Sequence, residues 1–209
     1  MRSITAALIE DLCPEGDKAI IAAIVPELAG ELPAAGLDTP LRVSHFLGQA
    51  VYETDYLRRL VEDTDYEAER IAKVFPRLRA RAEELAHRPA ALANAAYAHV
   101  NGNGDEASED GFRFRGRGLL DITGRGWYAR LGTLLKRDLL GEWIGEGPDW
   151  AASPQGAVAT AIAFWRFRRI NDLADADDMV RVTRLVQGGK LGLYDRTVIQ
   201  QHAFRLLTA

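Results

Sequence analysis

A chain of 209 residues, 47% hydrophobic and 27% charged, has the composition of an ordinary globular protein with ample length to bury a core. Its 26 Lys and Arg against 30 Asp and Glu leave a net charge of -4, which argues against a nucleic-acid binder that grips phosphates with surplus cations. One cysteine, Cys13, excludes an internal disulfide, and no apolar run approaches the ~20 residues of a membrane span.

The first residues do not read as a secretion leader, because the apolar stretch after Arg2 is cut short by Glu10 and Asp11. The expectation is a product that starts in the cytoplasm. Ser3 and Asp17 are N-cap residues for helices at 4–13 and 18–30, with Pro26 kinking or ending the second. Thr39-Pro40 opens a helix over 40–57. Further helices are predicted at 67–74, 77–87, 90–100, 127–136, 155–168 behind Ser153-Pro154, 178–186 and 192–207. Without repeats or a low-complexity linker, the chain reads as one mainly helical domain over 1–209, residues 1–40 packing on the rest.

The exception is NGNGDEASEDGFRFRGRG, residues 101–118. Its five glycines argue against a helix. Alternation in its second half predicts a short hairpin or extended arm, Phe112 and Phe114 on one face and Arg113, Arg115 and Arg117 on the other. The arginines are either a solvated patch or hold an acidic cluster in its ionised form, and the acidic neighbours Asp105, Glu106, Glu109 and Asp110 fit poorly with a nucleic-acid patch.

Several chemistries lack their motifs. The four histidines form no HExxH pattern, one cysteine makes a zinc site improbable, and there is no nucleophile elbow or phosphate-binding loop. No metal or cofactor is expected. On the apolar helix 40–57, however, His45, Gln49 and Glu53 stand at i, i+4 and i+8 on one stripe. Polar groups on a buried face need partners or a water-filled cleft. The stripe is either a structural network or the seat of a carboxyl in partly apolar surroundings, where a raised pKa suits a general acid.

Glu62 follows nine residues later. On a continuous helix the two carboxyls would face opposite ways, so they cooperate only if the helix stops near 56–60 and the chain turns at Asp63, Thr64 and Asp65. Two carboxyls ~6.5–9.5 Å apart, one protonated and one ionised, are the apparatus of an inverting glycosidase. A charged surface turn explains Glu62 equally well. Thr123, before Gly124, can hold a water or cap the helix at 127, and spacing alone favours the cap.

Taken together, HFLGQAVYET (45–54), VEDTDYEAERIAKVFP (61–76), the block 92–128 with its RGRG-L-x-x-T-G signature, the segment 157–175 and VTRLVQGGKLGLYDR (182–196) resemble glycoside hydrolase family 19, in the form of chitinase-like phage endolysins. The resemblance implies a lysozyme-like, mainly α-helical two-lobed fold with a cleft between the lobes, and inverting hydrolysis of β-1,4 bonds beside N-acetylated sugars. It places Glu53 on the general acid, Glu62 on the general base and Thr123 on the hydroxyl that helps hold the attacking water. Arg117 and Arg196 fall on positions near the acidic pair. Four positions depart from the family pattern: Tyr52 for a His, Asp121 for a Gln, Trp127 for an Asn and Gln187 for an Asn. The last three fall on sugar-contacting positions, and Asp121 adds a carboxylate near the water. With His45 and Gln49 supporting the acid, the expected activity is that of a monomeric peptidoglycan-cleaving endolysin that reaches the wall through a holin-type pore. A chitinase and a non-catalytic glycan-binding relative are the alternatives.

Overall fold

Helix α2 carries prolines at positions 26 and 33 and still runs unbroken, and its apolar spacing shows why. Ile21, Ile24, Leu28 and Leu32 are buried on one face, while Pro26 and Pro33 face solvent, where water can satisfy the carbonyls they leave unpaired. The computed structural model describes residues 1–141 and 147–209. In chain order its helices are α1 (Ala6–Leu12), α2 (Lys18–Ala34), α3 (Pro40–Glu53), α4 (Ala68–Val74), α5 (Ala82–Leu85), α6 (Pro89–Tyr97), α7 (Asp110–Arg113), α8 (Arg125–Leu135), α9 (Pro154–Phe167), α10 (Asn171–Asp175), α11 (Met179–Gln187) and α12 (Leu193–Thr208). Short 3-10 turns lie at Pro76–Arg81, Glu106–Ser108 and Gly147–Ala152. The fold is mainly α-helical, and β pairing among the described residues is confined to isolated bridges. No described helix is long and apolar enough to cross a membrane.

The caps at Asp17, Thr39 and Ser153 form as the sequence predicts. Thr5, rather than Ser3, caps α1 through its hydroxyl. Pro26 does not end α2, for the reason above. The helix expected over 77–87 divides into a 3-10 turn and the single turn of α5, and α10 falls where no helix was predicted.

Two compact units result: Met1–Leu60 with Gly118–Asp121 and Trp150–Ala209, and Val61–Arg117 with Ile122–Asp149. In the first, α3 packs on α12 and α2 on α9 around Phe46 and Trp165, whose rings meet edge-on with centroids 5.3 Å apart. Gly48 sets the approach of α12. A β-carbon there would come within 2.9 Å of both the Arg196 carbonyl and the Gln200 Cβ. Cys13 is buried in this unit, and burial pushes its thiol up to about 12, so it is an inert apolar group.

The second unit has its own core of Ile71, Leu78, Leu85, Leu92, Ala95 and Ala96. Here the arm differs from expectation. Residues 110–113 make a helical turn instead of an extended strand, because Gly111 lies directly on α6, its bare α-carbon facing the Ala93 carbonyl, and Asn94 Oδ1 accepts the Phe112 N–H at 2.7 Å. Phe114 is buried against Tyr128, while Phe112 stays half-buried under the Arg115 guanidinium. All that remains of the expected hairpin is the ladder in which Arg117 pairs with Val61 on one side and Ile122 on the other.

Gly48→Ala is expected to destabilise the protein by about 1–3 kcal/mol through overpacking of α3 against α12. Urea unfolding followed by circular dichroism measures this.

Candidate active site

Helix α3 ends at Glu53, four residues short of the predicted boundary. Thr54 is buried; its Oγ1 donates to the Ala50 carbonyl at 2.7 Å and accepts the Leu57 N–H at 3.1 Å. Asp55, Tyr56 and Leu57 then take left-handed conformations, φ 51°, 60° and 59°. This turn puts Glu53 at the helix end, its side chain 15% exposed.

The stripe His45–Gln49–Glu53 is real, and its partner is Arg196 of α12. The Arg196 guanidinium, 1% exposed, donates from Nη2 to Glu53 Oε1 at 2.7 Å, from Nη1 to Gln49 Oε1 at 2.6 Å and from Nε to the Leu191 carbonyl at 3.1 Å. Its plane lies over the Tyr52 ring, 4.2 Å from the centroid. Because Arg196 can only donate, Gln49 must turn its Oε1 toward the guanidinium, which leaves Nε2 to donate to Thr183 Oγ1 of α11 at 3.2 Å. Gln49, Tyr52, Glu53 and Arg196 thus form one cluster. Gly192 closes it, since a β-carbon there would overlap the Tyr52 ring.

His45, one turn earlier, belongs to the stripe but pairs elsewhere: its Nε2 meets Asp177 Oδ1 at 2.7 Å. The ring is fully buried, and Nδ1 has no partner among the described residues. Burial lowers its pKa, and the Asp177 bond opposes that only in part. Gln187 ends α11, and its Oε1 accepts the Gly189 N–H at 2.8 Å, so the side chain shapes its own turn.

In the second unit, Glu62 is clamped by the arm. Its Oε1 accepts a hydrogen bond from Tyr97 O–H, its Oε2 accepts the Gly116 N–H at 3.2 Å, and its backbone N–H donates to the Gly116 carbonyl at 2.9 Å. The Tyr97 ring is braced edge-on by Phe75, which stacks on Tyr66. Val61, Arg117 and Ile122 pair side by side, so the segments carrying Glu62 and Thr123 flank the one carrying Arg117. At the ordinary spacing of paired strands, those outer backbones lie about 10 Å apart. Thr123 is half-buried and its carbonyl accepts from Asn101 Nδ2 at 3.1 Å. It does not cap α8, whose N-cap is Gly124 at φ 99° with no side-chain bond.

Arg117 turns inward. Its guanidinium, 2% exposed, donates from Nη1 to the carbonyls of Arg113 and Arg115 and to Tyr128 O–H, and from Nη2 to Asp149 Oδ1 at 2.6 Å. It therefore holds the backbone that holds Glu62. Of the acidic residues that precede the arginines, Glu106 pairs with Arg81, Asp110 pairs with Arg125, and Asp105 caps its own turn. Asp121 lies in the first unit at φ 49°, and Trp127 sits half-buried in the first turn of α8. Sequence reasoning passed over Tyr97, whose setting in an alanine-rich helix reads as a core aromatic, and Thr183, whose hydroxyl gives no signal. Among the described residues, no group of three His, Cys, Asp or Glu is placed to hold a metal.

The fold is mainly helical, with Glu53 on a buried arginine in the first unit and Glu62 on a phenol and a backbone amide in the second. Chitinase C from Streptomyces griseus has this fold: TM-score 0.60 and 14% identity, with 99% of this chain and 77% of that one covered. A bacterial family 19 chitinase gives 0.55 and 17%, covering 98% and 94%. No family signature profile matches the chain. A glycosyl hydrolase family 19 domain-containing protein of Haemophilus influenzae is 30% identical over 197 residues, 92% of each chain. The chain belongs to glycosyl hydrolase family 19.

Since His45 has a lowered pKa in the folded protein, the unfolded chain takes up the proton more readily. The stability gained by keeping His45 neutral is present above the unfolded value near 6.5 and is lost as pH falls below it. Unfolding free energies are expected to drop between pH 7 and pH 5, and to drop less in His45→Gln.

Proposed function

We propose that this family 19 protein is an endolysin-type glycosidase that hydrolyses β-1,4 bonds of bacterial peptidoglycan with inversion. What supports the reading is membership of glycosyl hydrolase family 19 together with a firmly oriented glutamate at each of the two positions that the resemblance assigns. Glu53 has one oxygen on a buried guanidinium, whereas Glu62 accepts from a phenol and a backbone N–H.

In this reading Glu53, as the carboxylic acid, gives its proton to the leaving glycosidic oxygen as the bond to the anomeric carbon breaks. The carboxylate left behind stays matched by Arg196. Glu62 takes a proton from the water that attacks the anomeric carbon from the opposite face, and Thr123 positions that water. One proton leaves Glu53 and one reaches Glu62, so a turnover ends with the roles exchanged until solvent resets them. Inversion asks for carboxyls ~6.5–9.5 Å apart, with room for the water. His45 acts from behind the cluster, while Asp121, Trp127 and Gln187 contribute where the family contacts sugar. The enzyme works as a monomer on the wall after release through a pore made by another protein. Chitin hydrolysis is the second reading, favoured by the chitinases that share the fold.

Purified walls and a chitin oligomer, each followed by release of reducing ends, decide between the two. Glu53→Gln and Glu62→Gln are each expected to lower turnover about 10²–10⁴-fold, the range of positioned acid–base catalysis. Proton NMR of the first product is expected to show the inverted anomer. Full lysis by Glu53→Gln removes it as the acid, and absence of lysis by the unsubstituted protein favours a glycan-binding relative.

Tyr97→Phe keeps the braced ring and removes the O–H that meets Glu62. It is expected to lower kcat about tenfold, a loss of ~1.4 kcal/mol in the transition state, with KM nearly unchanged. Steady-state kinetics on the same walls provide the measurement.

A further inference from the structure

Arg115 is half-buried beside Gly116 and, unlike three other arginines of its unit, meets no described carboxylate. Arg81, Arg117 and Arg125 each meet a carboxylate: Glu106, Asp149 and Asp110. Arg115 donates from Nη1 to the Phe112 carbonyl at 2.9 Å and lies on the Phe112 ring, 4.1 Å from its centroid. These contacts fix the plane of the guanidinium, and no described carboxylate forms an ion pair with it.

Its surroundings leave the charge undercompensated. Burial and the neighbouring Arg117 both work against the cation and outweigh the help from Asp149 and Glu62, so its pKa is lowered. Asp149 is already engaged by Arg117. A half-buried guanidinium in this state gains from any carboxylate that arrives, because the cost of burying it is already met by the fold. Its place in the chain matters equally. The next residue, Gly116, clamps Glu62 through both its N–H and its carbonyl.

We propose that Arg115 binds a carboxylate carried by the glycan, so that the unit bearing Glu62 selects an acidic N-acetylated polymer over a neutral one. The inference rests on reading Glu62 as the base of a glycosidase and deepens it by naming the substrate class. Two sources supply such a group: a free lactyl carboxylate on the sugar, or the carboxylates of a peptide attached there. Either makes two parallel N–H···O bonds with the unengaged side of the fork.

Binding is measured on the Glu53→Gln protein, with and without Arg115→Gln or Arg115→Lys, at low ionic strength where exposed charges are least screened. Three ligands separate the possibilities: the neutral N-acetylglucosamine hexamer, peptide-free glycan strands with free lactyl carboxylates, and strands that retain their peptides. Arg115→Gln is expected to weaken binding of a carboxylate-bearing strand about tenfold more than binding of the hexamer, with Arg115→Lys in between. The arm that shows the excess loss identifies the source. Equal loss on all three ligands, or none on any, overturns the proposal. Release of reducing ends by the unsubstituted protein is read separately. Its failure sinks the catalytic reading and leaves the binding arms to decide Arg115.

Discussion

The site is organised around a positive charge that has almost no access to water. Removing a guanidinium from solvent costs several kcal/mol unless its donors are met, and losing one partner of such a buried group is more harmful than never having buried it. Arg196 has a partner on every side: Glu53 and Gln49 from α3, the Leu191 carbonyl from the turn before α12, and the Tyr52 ring beneath it. Other features serve that arrangement. Gly48 lets α12 come close enough, Thr183 accepts from the Gln49 amide nitrogen while the amide oxygen faces the arginine, and Gly192 leaves room for the tyrosine. A change at any of these positions is felt at Glu53 without touching it.

The second unit solves a similar problem differently. Arg117 is as deeply buried, but it gathers carbonyls at 113 and 115 along with Tyr128 and Asp149, and its own backbone links the Val61 and Ile122 segments. One arginine touches its glutamate; the other fixes the peptide that does. In both cases geometry is set by a side chain that cannot move without exposing an unpaired charge. Support of this kind from behind holds each glutamate in one orientation.

How much of this could be read from the chain depends on the range of each interaction. The stripe at 45, 49 and 53 is a local periodicity and was legible, as were the caps at Asp17, Thr39 and Ser153. Arg196 pairs with Glu53 across 143 residues, so spacing alone carried no sign of it, and only the family resemblance pointed there. The stop after Glu53 rests on three consecutive left-handed residues, none of them glycine, held by the Thr54 hydroxyl. The arm misled because alternating Phe and Arg suggests a strand, whereas contact of Gly111 with α6 bends 110–113 into a helical turn. The tertiary contact outweighed the local pattern.

Cys13, sealed in the core of the first unit, bears on how the fold meets an oxidant. A thiol whose pKa is pushed up to about 12 carries almost no thiolate at neutral pH, and thiolate is the species that attacks peroxides and disulfides. With no second cysteine in the chain, there is nothing to bridge and nothing to reshuffle. The fold is therefore indifferent to redox poise. Its cysteine is the same buried thiol under reducing and under oxidising conditions.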